Sequence, residues 1–190
     1  MGDIQHGLRV LSPYQRIITY FATDLLIALV PQITEKHLPE AIDAAREIKS
    51  AQYRSEALIS LAPYDPKLIS EAIDAARETK NAQYRSEALS ALAPYNPKLI
   101  SEAIDAALKI KAAQNRTKAL SALVPQMIKL VTIEQLTLHW RDILHSYELN
   151  KRQDVLEVMA ALTPVIVKLG GQDAVSEIVQ VTQQVCHWWR

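Results

Sequence analysis

Apolar residues recur at helical spacing along most of the chain. In the stretch 67–80, "KLISEAIDAARETK", Ile69, Ala72, Ile73 and Ala76 fall on one face, with charged residues between them. This predicts a helix, A, from about Pro66 to Lys80. A turn near Asn81 then leads to a second helix, B, from about Ala82 to Ala93, whose apolar face includes Leu89, Leu92 and Ala93. Asp65-Pro66 and Asn96-Pro97 stand just before A-type segments. Asp and Asn are good N-caps, and proline suits a first helical position because its missing N–H would have no partner there. Proline at 94 is expected to end helix B.

The A–B pattern repeats. "AIDAA" begins at Ala41, Ala72 and Ala103, a period of 31 residues, giving copies at 36–66, 67–97 and 98–128. The first two agree at 23 of 31 positions and the second and third at 20 of 31, far beyond chance. "TDLLIALVP" (Thr23–Pro31) and "LEVMAALTP" (Leu156–Pro164) have the character of "SEALSALAP" (Ser86–Pro94), so both read as divergent B helices. A longer A helix is expected around "TIEQLTLHWRDILHSYEL", and a last helix, about Gln172 to Trp188, after Gly170-Gly171. Two short amphipathic helices cannot bury their faces alone, but stacked copies share one core. The expected fold is therefore all-α: a right-handed α-solenoid of stacked hairpins, about ten helices in all, with a compact helical bundle as the rival. It would form a single domain over 1–190. Within it, 1–35 is a degenerate repeat or cap, 36–128 holds the three clear copies, and 129–190 is a divergent repeat with a capping helix.

Composition supports helices. Aliphatic residues and alanine are abundant, while the chain has one Phe and four Gly. The formal net charge is zero, which argues against a globally basic nucleic-acid binder. The single Cys186 excludes an internal disulfide and a multi-cysteine zinc site. No secretory leader pattern is read at the N-terminus, and "YFATDLLIALV" is short for a membrane span and contains Asp24. A cytoplasmic protein is expected.

The units "EAIDAAREIKSAQYRSEALISLAPYDP" resemble short HEAT/TPR-like helical repeats of large cyanobacterial and related bacterial proteins that carry NACHT- or NB-ARC-type signalling NTPase modules. The tail "LGGQDAVSEIVQVTQQVCHWW" is similar to an ending found with them, the matching positions being Leu169, Gly170, Gly171, Glu177, Val185, Trp188 and Trp189. The resemblance implies an array that senses or binds a partner. The chain departs from the pattern in having no Walker A motif and no Gly-rich phosphate loop.

Candidate chemistry is sparse. Asp43, Asp74 and Asp105 each precede Arg54, Arg85 and Arg116 by 11 residues, which suggests an ion-pair ladder around the A–B turns. Tyr53 and Tyr84 occupy one register, where the third copy has Asn115. Tyr64 and Tyr95 occupy another, where it has Gln126. Repeated tyrosines can anchor a partner or wedge repeats together. The third copy sets Lys98, Lys109, Lys111, Arg116 and Lys118 against Glu102 and Asp105, about three units more positive than the second. His139, Trp140, Asp142 and His145 lack the i, i+4 spacing of a metal pair. Trp189 is a candidate exposed contact at the chain's end. The reading is a non-enzymatic repeat scaffold or sensor for a protein or peptide partner, with no cofactor and no metal. Its candidate contacts are Tyr53, Tyr64, Tyr84, Tyr95, Lys109, Lys111, Arg116, Lys118 and Trp189. A structural, self-associating module is the alternative; a nucleic-acid-binding or hydrolytic protein is disfavoured.

Overall fold

A computed structural model describes residues 23–24, 26–32, 36–147 and 152–188. The described residues are helical and contain no strand, so the fold is all-α. A short helical stretch at 26–29 runs into a 3₁₀ turn at Val30–Gln32. The helices that follow are α1 (Leu38–Glu47), α2 (Ala51–Leu61), α3 (Leu68–Glu78), α4 (Ala82–Leu92), α5 (Leu99–Leu108), α6 (Ala113–Leu130), α7 (Ile133–His145), α8 (Arg152–Ala161) and α9 (Thr163–Trp188). Packing divides the chain after Lys80 into two compact units.

In the first unit α2 lies most extensively on α3 and less on α1. Thus helix B of the first copy packs hardest against helix A of the next. In the second unit α4 likewise lies extensively on α5, whereas α6 packs on α5, the A helix of its own copy. The turn from helix B to the next helix A, which α6 lacks, explains the difference. Tyr64 N donates to Leu61 O at 2.9 Å, Asp65 N to the same oxygen at 3.2 Å, and Leu68 N to Asp65 O at 3.0 Å. Asp65 Oδ1 accepts from Lys67 N at 3.0 Å, so the expected capping acid does engage, one turn ahead of the regular helix. Thirty-one residues later Asn96 Oδ1 accepts from Lys98 N at 3.2 Å, and Tyr95, Asn96 and Leu99 repeat the backbone bonds. Alternating bonds and prolines hold this turn in one shape, while small alanines let the flanking helices approach.

The buried face differs slightly from the sequence expectation. In α3 the enclosed residues are Leu68, Ala72, Ala75 and Ala76; Ile69 and Ile73 are only half-buried. In α5 the equivalent Ile100 and Ile104 are enclosed, because α4, α6 and α7 all pack on that helix. In the second unit Ser86 Oγ donates to Ala103 O at 2.9 Å, a buried polar link between α4 and α5.

Arg46 forms a two-point pair with Glu71, Nε to Oε2 at 2.8 Å and Nη2 to Oε1 at 2.7 Å. This joins α1 to α3 in the first unit. The bonds from Arg46 hold the Glu71 carboxyl below its ordinary pKa. A depressed carboxyl stabilises the fold above its unfolded pKa and loses that contribution as pH falls through the folded value. Glu71→Gln is therefore expected to lower the thermal midpoint slightly at neutral pH, the pair being well exposed and screened. The difference should vanish in acid, below the ordinary carboxylate range. A difference that persists there, measured by calorimetry across pH, would count against the pair.

The largest departure is at Pro125. The equivalent Pro94 lies just past the end of α4, but α6 runs through Pro125 to Leu130. After Pro94 come Tyr-Asn-Pro, which bend the chain. After Pro125 come Gln-Met-Ile-Lys-Leu, with no second proline, and Met127 is fully enclosed. Burial of a Met side chain is worth about 1.5–3 kcal/mol, comparable to the cost of a proline inside a helix. Lys168 closes the far end: its Nζ donates to Val131 O at 2.7 Å and to Ile128 O. The break in α9 falls at Gly171, with φ +71, and a Cβ at Gly170 would come within 2.7 Å of the Ala174 Cβ. The Gly pair thus makes both a left-handed residue and a close approach. No described helix is long and apolar enough to cross a membrane.

Candidate functional site

Each B helix starts after an extended residue at one register: Ser50 before α2, Asn81 before α4 and Ala112 before α6. Asn81 Oδ1 accepts from Gln83 N at 2.9 Å and Tyr84 N at 3.4 Å, satisfying two donors of the first turn. Ser50 does not cap α2 through its side chain, and Ala112 has no side-chain oxygen with which to cap α6. The turn before it is shared by all three copies: the amides of Ile48, Thr79 and Ile110 donate to the carbonyls of Ala45, Ala76 and Ala107 at 3.3, 3.2 and 3.0 Å.

The first turn of α6 borders a polar cavity of about 440 Å³, lined by Lys111, Ala112, Gln114, Asn115, Arg116, Ser146 and Asp154 among others. A second cavity of about 320 Å³ shares Lys111, Ala112 and Asn115 and extends past Lys109 to Asn81 and Gln83 at the start of α4. Both belong to the second unit. The candidate cations Lys109 and Lys111 are exposed here, whereas Lys118 lies farther along α6 and lines neither cavity.

Arg116 is not a surface cation. It is 8 % exposed, its guanidinium sits 4.4 Å from the centre of the Tyr147 ring, and Nη1 donates to Ile110 O at 2.7 Å and Lys111 O at 3.5 Å. Its Nε is enclosed without a hydrogen-bond partner. Tyr147 is itself buried, with its hydroxyl 2.7 Å from Thr117 Oγ1. Arg54 at the same register likewise donates to a carbonyl six residues back, Ile48 O at 3.0 Å, and pairs with Glu78. The Arg therefore fastens the end of helix A to helix B. The expected ladder is replaced at Asp43, which pairs with Arg46 at 3.5 Å, and Asp74 reaches Arg77 at 3.9 Å within its own helix. The reason is distance along the helix surface: a partner three residues on is already adjacent.

The tyrosines fall apart into separate places. Tyr64 and Tyr95 are 47 % and 50 % exposed in equivalent turns of different units; Tyr84 is 40 % exposed at the start of α4, the opposite end of that helix from Tyr95. Tyr53 is half-buried in α2. Trp189 lies outside the described residues. His139 Nε2 is 3.0 Å from Ser101 Oγ, linking α7 to α5, while Asp142 approaches Arg141 at 3.8 Å. Among the described residues no group of three His, Cys, Asp or Glu is placed to hold a metal ion.

Two features had no signal in the repeat pattern. One is Tyr147, which lies beyond the copies. The other is an apolar cavity of about 310 Å³ between α8 and the two parts of α9, lined by Leu156, Met159, Ile166, Val175, Ile178 and Val179 among others.

No family model, curated protein or solved structure matches the chain.

The geometry itself therefore defines the candidate site: two adjoining polar cavities over the starts of successive B helices, edged by Lys109 and Lys111.

Proposed function

We propose that the chain is a non-enzymatic helical-repeat scaffold or sensor module that binds a protein or peptide partner. On this reading its copies stack as a right-handed α-solenoid, in the manner of bacterial HEAT/TPR-like arrays, and it acts in the cytoplasm without a cofactor. The observation that carries the reading is the pair of adjoining polar cavities at the same register of successive copies. A repeat array presents one register many times, and a partner can be read along such a row.

Panning an unbiased peptide display library against the purified chain tests the reading. Selected peptides should bind saturably, and their binding should weaken on Lys109→Glu with Lys111→Glu. Failure to enrich any sequence over the unselected pool would sink the partner-binding reading. A self-associating module is favoured by other features, the exposed Ile133 and Leu138 on α7 and Val179 and Val181 on α9. Light scattering decides between them: a monomer at all concentrations leaves only the first.

A further inference from the structure

Building on the partner-binding reading, we infer that the start of α6 receives a carboxylate from an acidic peptide segment, which supplies the helix cap that Ala112 cannot. At the equivalent position of α4, Asn81 places an oxygen on the first-turn amides. In α6, a helix of 18 residues, no side chain does so, and the first turn borders the 440 Å³ cavity. Unbonded N–H groups and the aligned peptide dipoles make that turn attractive to an anion.

Arg116 points to the same ligand independently. It lines this cavity while more than nine-tenths buried, and its Nε has no partner. Among the described residues it pairs with no carboxylate; its acceptors are the neutral carbonyls of Ile110 and Lys111. A guanidinium removed from water and held only by neutral carbonyls and the Tyr147 ring gains from an anion nearby.

Charge selects the kind of anion. In the larger cavity Lys111 and Arg116 face one acid, Asp154, so one net positive charge remains, which matches a carboxylate better than a phosphate dianion. The adjoining cavity adds Lys109 and no acid, so further acidic residues of the same segment can lie along it. Nucleic acid is disfavoured because the cavities offer no aromatic stacking surface.

The experiment uses the whole chain and a fluorescein-labelled hexaglutamate peptide, followed by anisotropy at low salt, with hexaglutamine as control. Wild type should bind hexaglutamate saturably and ignore hexaglutamine. Ala112→Asn places an internal cap where the carboxylate would sit. It should raise the thermal midpoint and weaken hexaglutamate binding by about tenfold. Lys111→Gln should also weaken binding without the rise in midpoint. Binding unchanged in Ala112→Asn, or no binding by wild type, overturns the proposal. So does displacement of the peptide by inorganic phosphate at lower concentrations than acetylglutamate requires. If display selects peptides that bind elsewhere while hexaglutamate does not bind, this site falls and the partner-binding reading stands.

Discussion

Replacing Arg116 with Ala is expected to lower the unfolding free energy by about 2–3 kcal/mol, from lost charge-assisted bonds and the lost ring contact, less the relief of a buried charge. Three elements depend on this side chain. Its stem belongs to α6, its Nη1 holds the carbonyls that end the α5–α6 connection, and its plane covers Tyr147 after α7. Urea unfolding of Arg116→Ala, Arg116→Met and Tyr147→Leu separates the parts. Met keeps much of the stem's packing and loses the charge, so it should cost less than Ala. The double variant Arg116→Met with Tyr147→Leu should show coupling of about 1 kcal/mol. Purely additive losses would mean that the guanidinium and ring do not stabilise each other.

Arg116 also marks the boundary between what the repeat pattern displays and what only packing decides. The copies carry enough information for the helices, because apolar spacing and alanine content agree in each one, and Asx-Pro starts mark the second and third. The helix ends before Pro63 and Pro94 and the turns at Asp65 and Asn96 are legible for this reason. Arg116 was legible as a repeated cation but not as a buried one. Its burial depends on Tyr147, which lies outside the repeat and gives no periodic signal. The cavities are hidden for a related reason. They depend on the missing cap at Ala112 and on Asp154 from another helix, so no short stretch of sequence displays them. The choice of face in helix A was off by about one residue because Leu68 and Ala75 pack inward while Ile69 and Ile73 stay partly open, and small differences in helix rotation decide this. The pairing preference was missed as well. Local spacing predicts an A–B hairpin within each copy, yet in the first unit the rigid Pro-Tyr-Asp-Pro turn brings α2 most closely onto α3, the A helix of the next copy.

Pro125 offers the sharpest contrast between equal letters in unequal places. Within α6 its ring removes the N–H that would bond Ser121 O and crowds that carbonyl. Pro125→Ala restores the bond and relieves the ring. Against this, alanine allows the unfolded chain more freedom, which takes back about 0.4–1 kcal/mol. A net gain of about 1–2 kcal/mol in unfolding free energy is expected. At Pro94 the helix has already ended at Leu92, and the residues after it form the fixed turn to α5. There the ring opposes no helical bond, so Pro94→Ala should lose up to about 1 kcal/mol through the unfolded chain alone. Chemical denaturation of the two variants side by side reads both signs. Opposite signs require a helix continuous through position 125; a loss at both positions would mean that α6 ends at its proline as α4 does. The physical origin of the difference lies three residues downstream. Asn96-Pro97 gives the chain after Pro94 a new start, whereas Met127 and Ile128 offer only helical spacing, and burial of Met127 carries the helix across the missing bond.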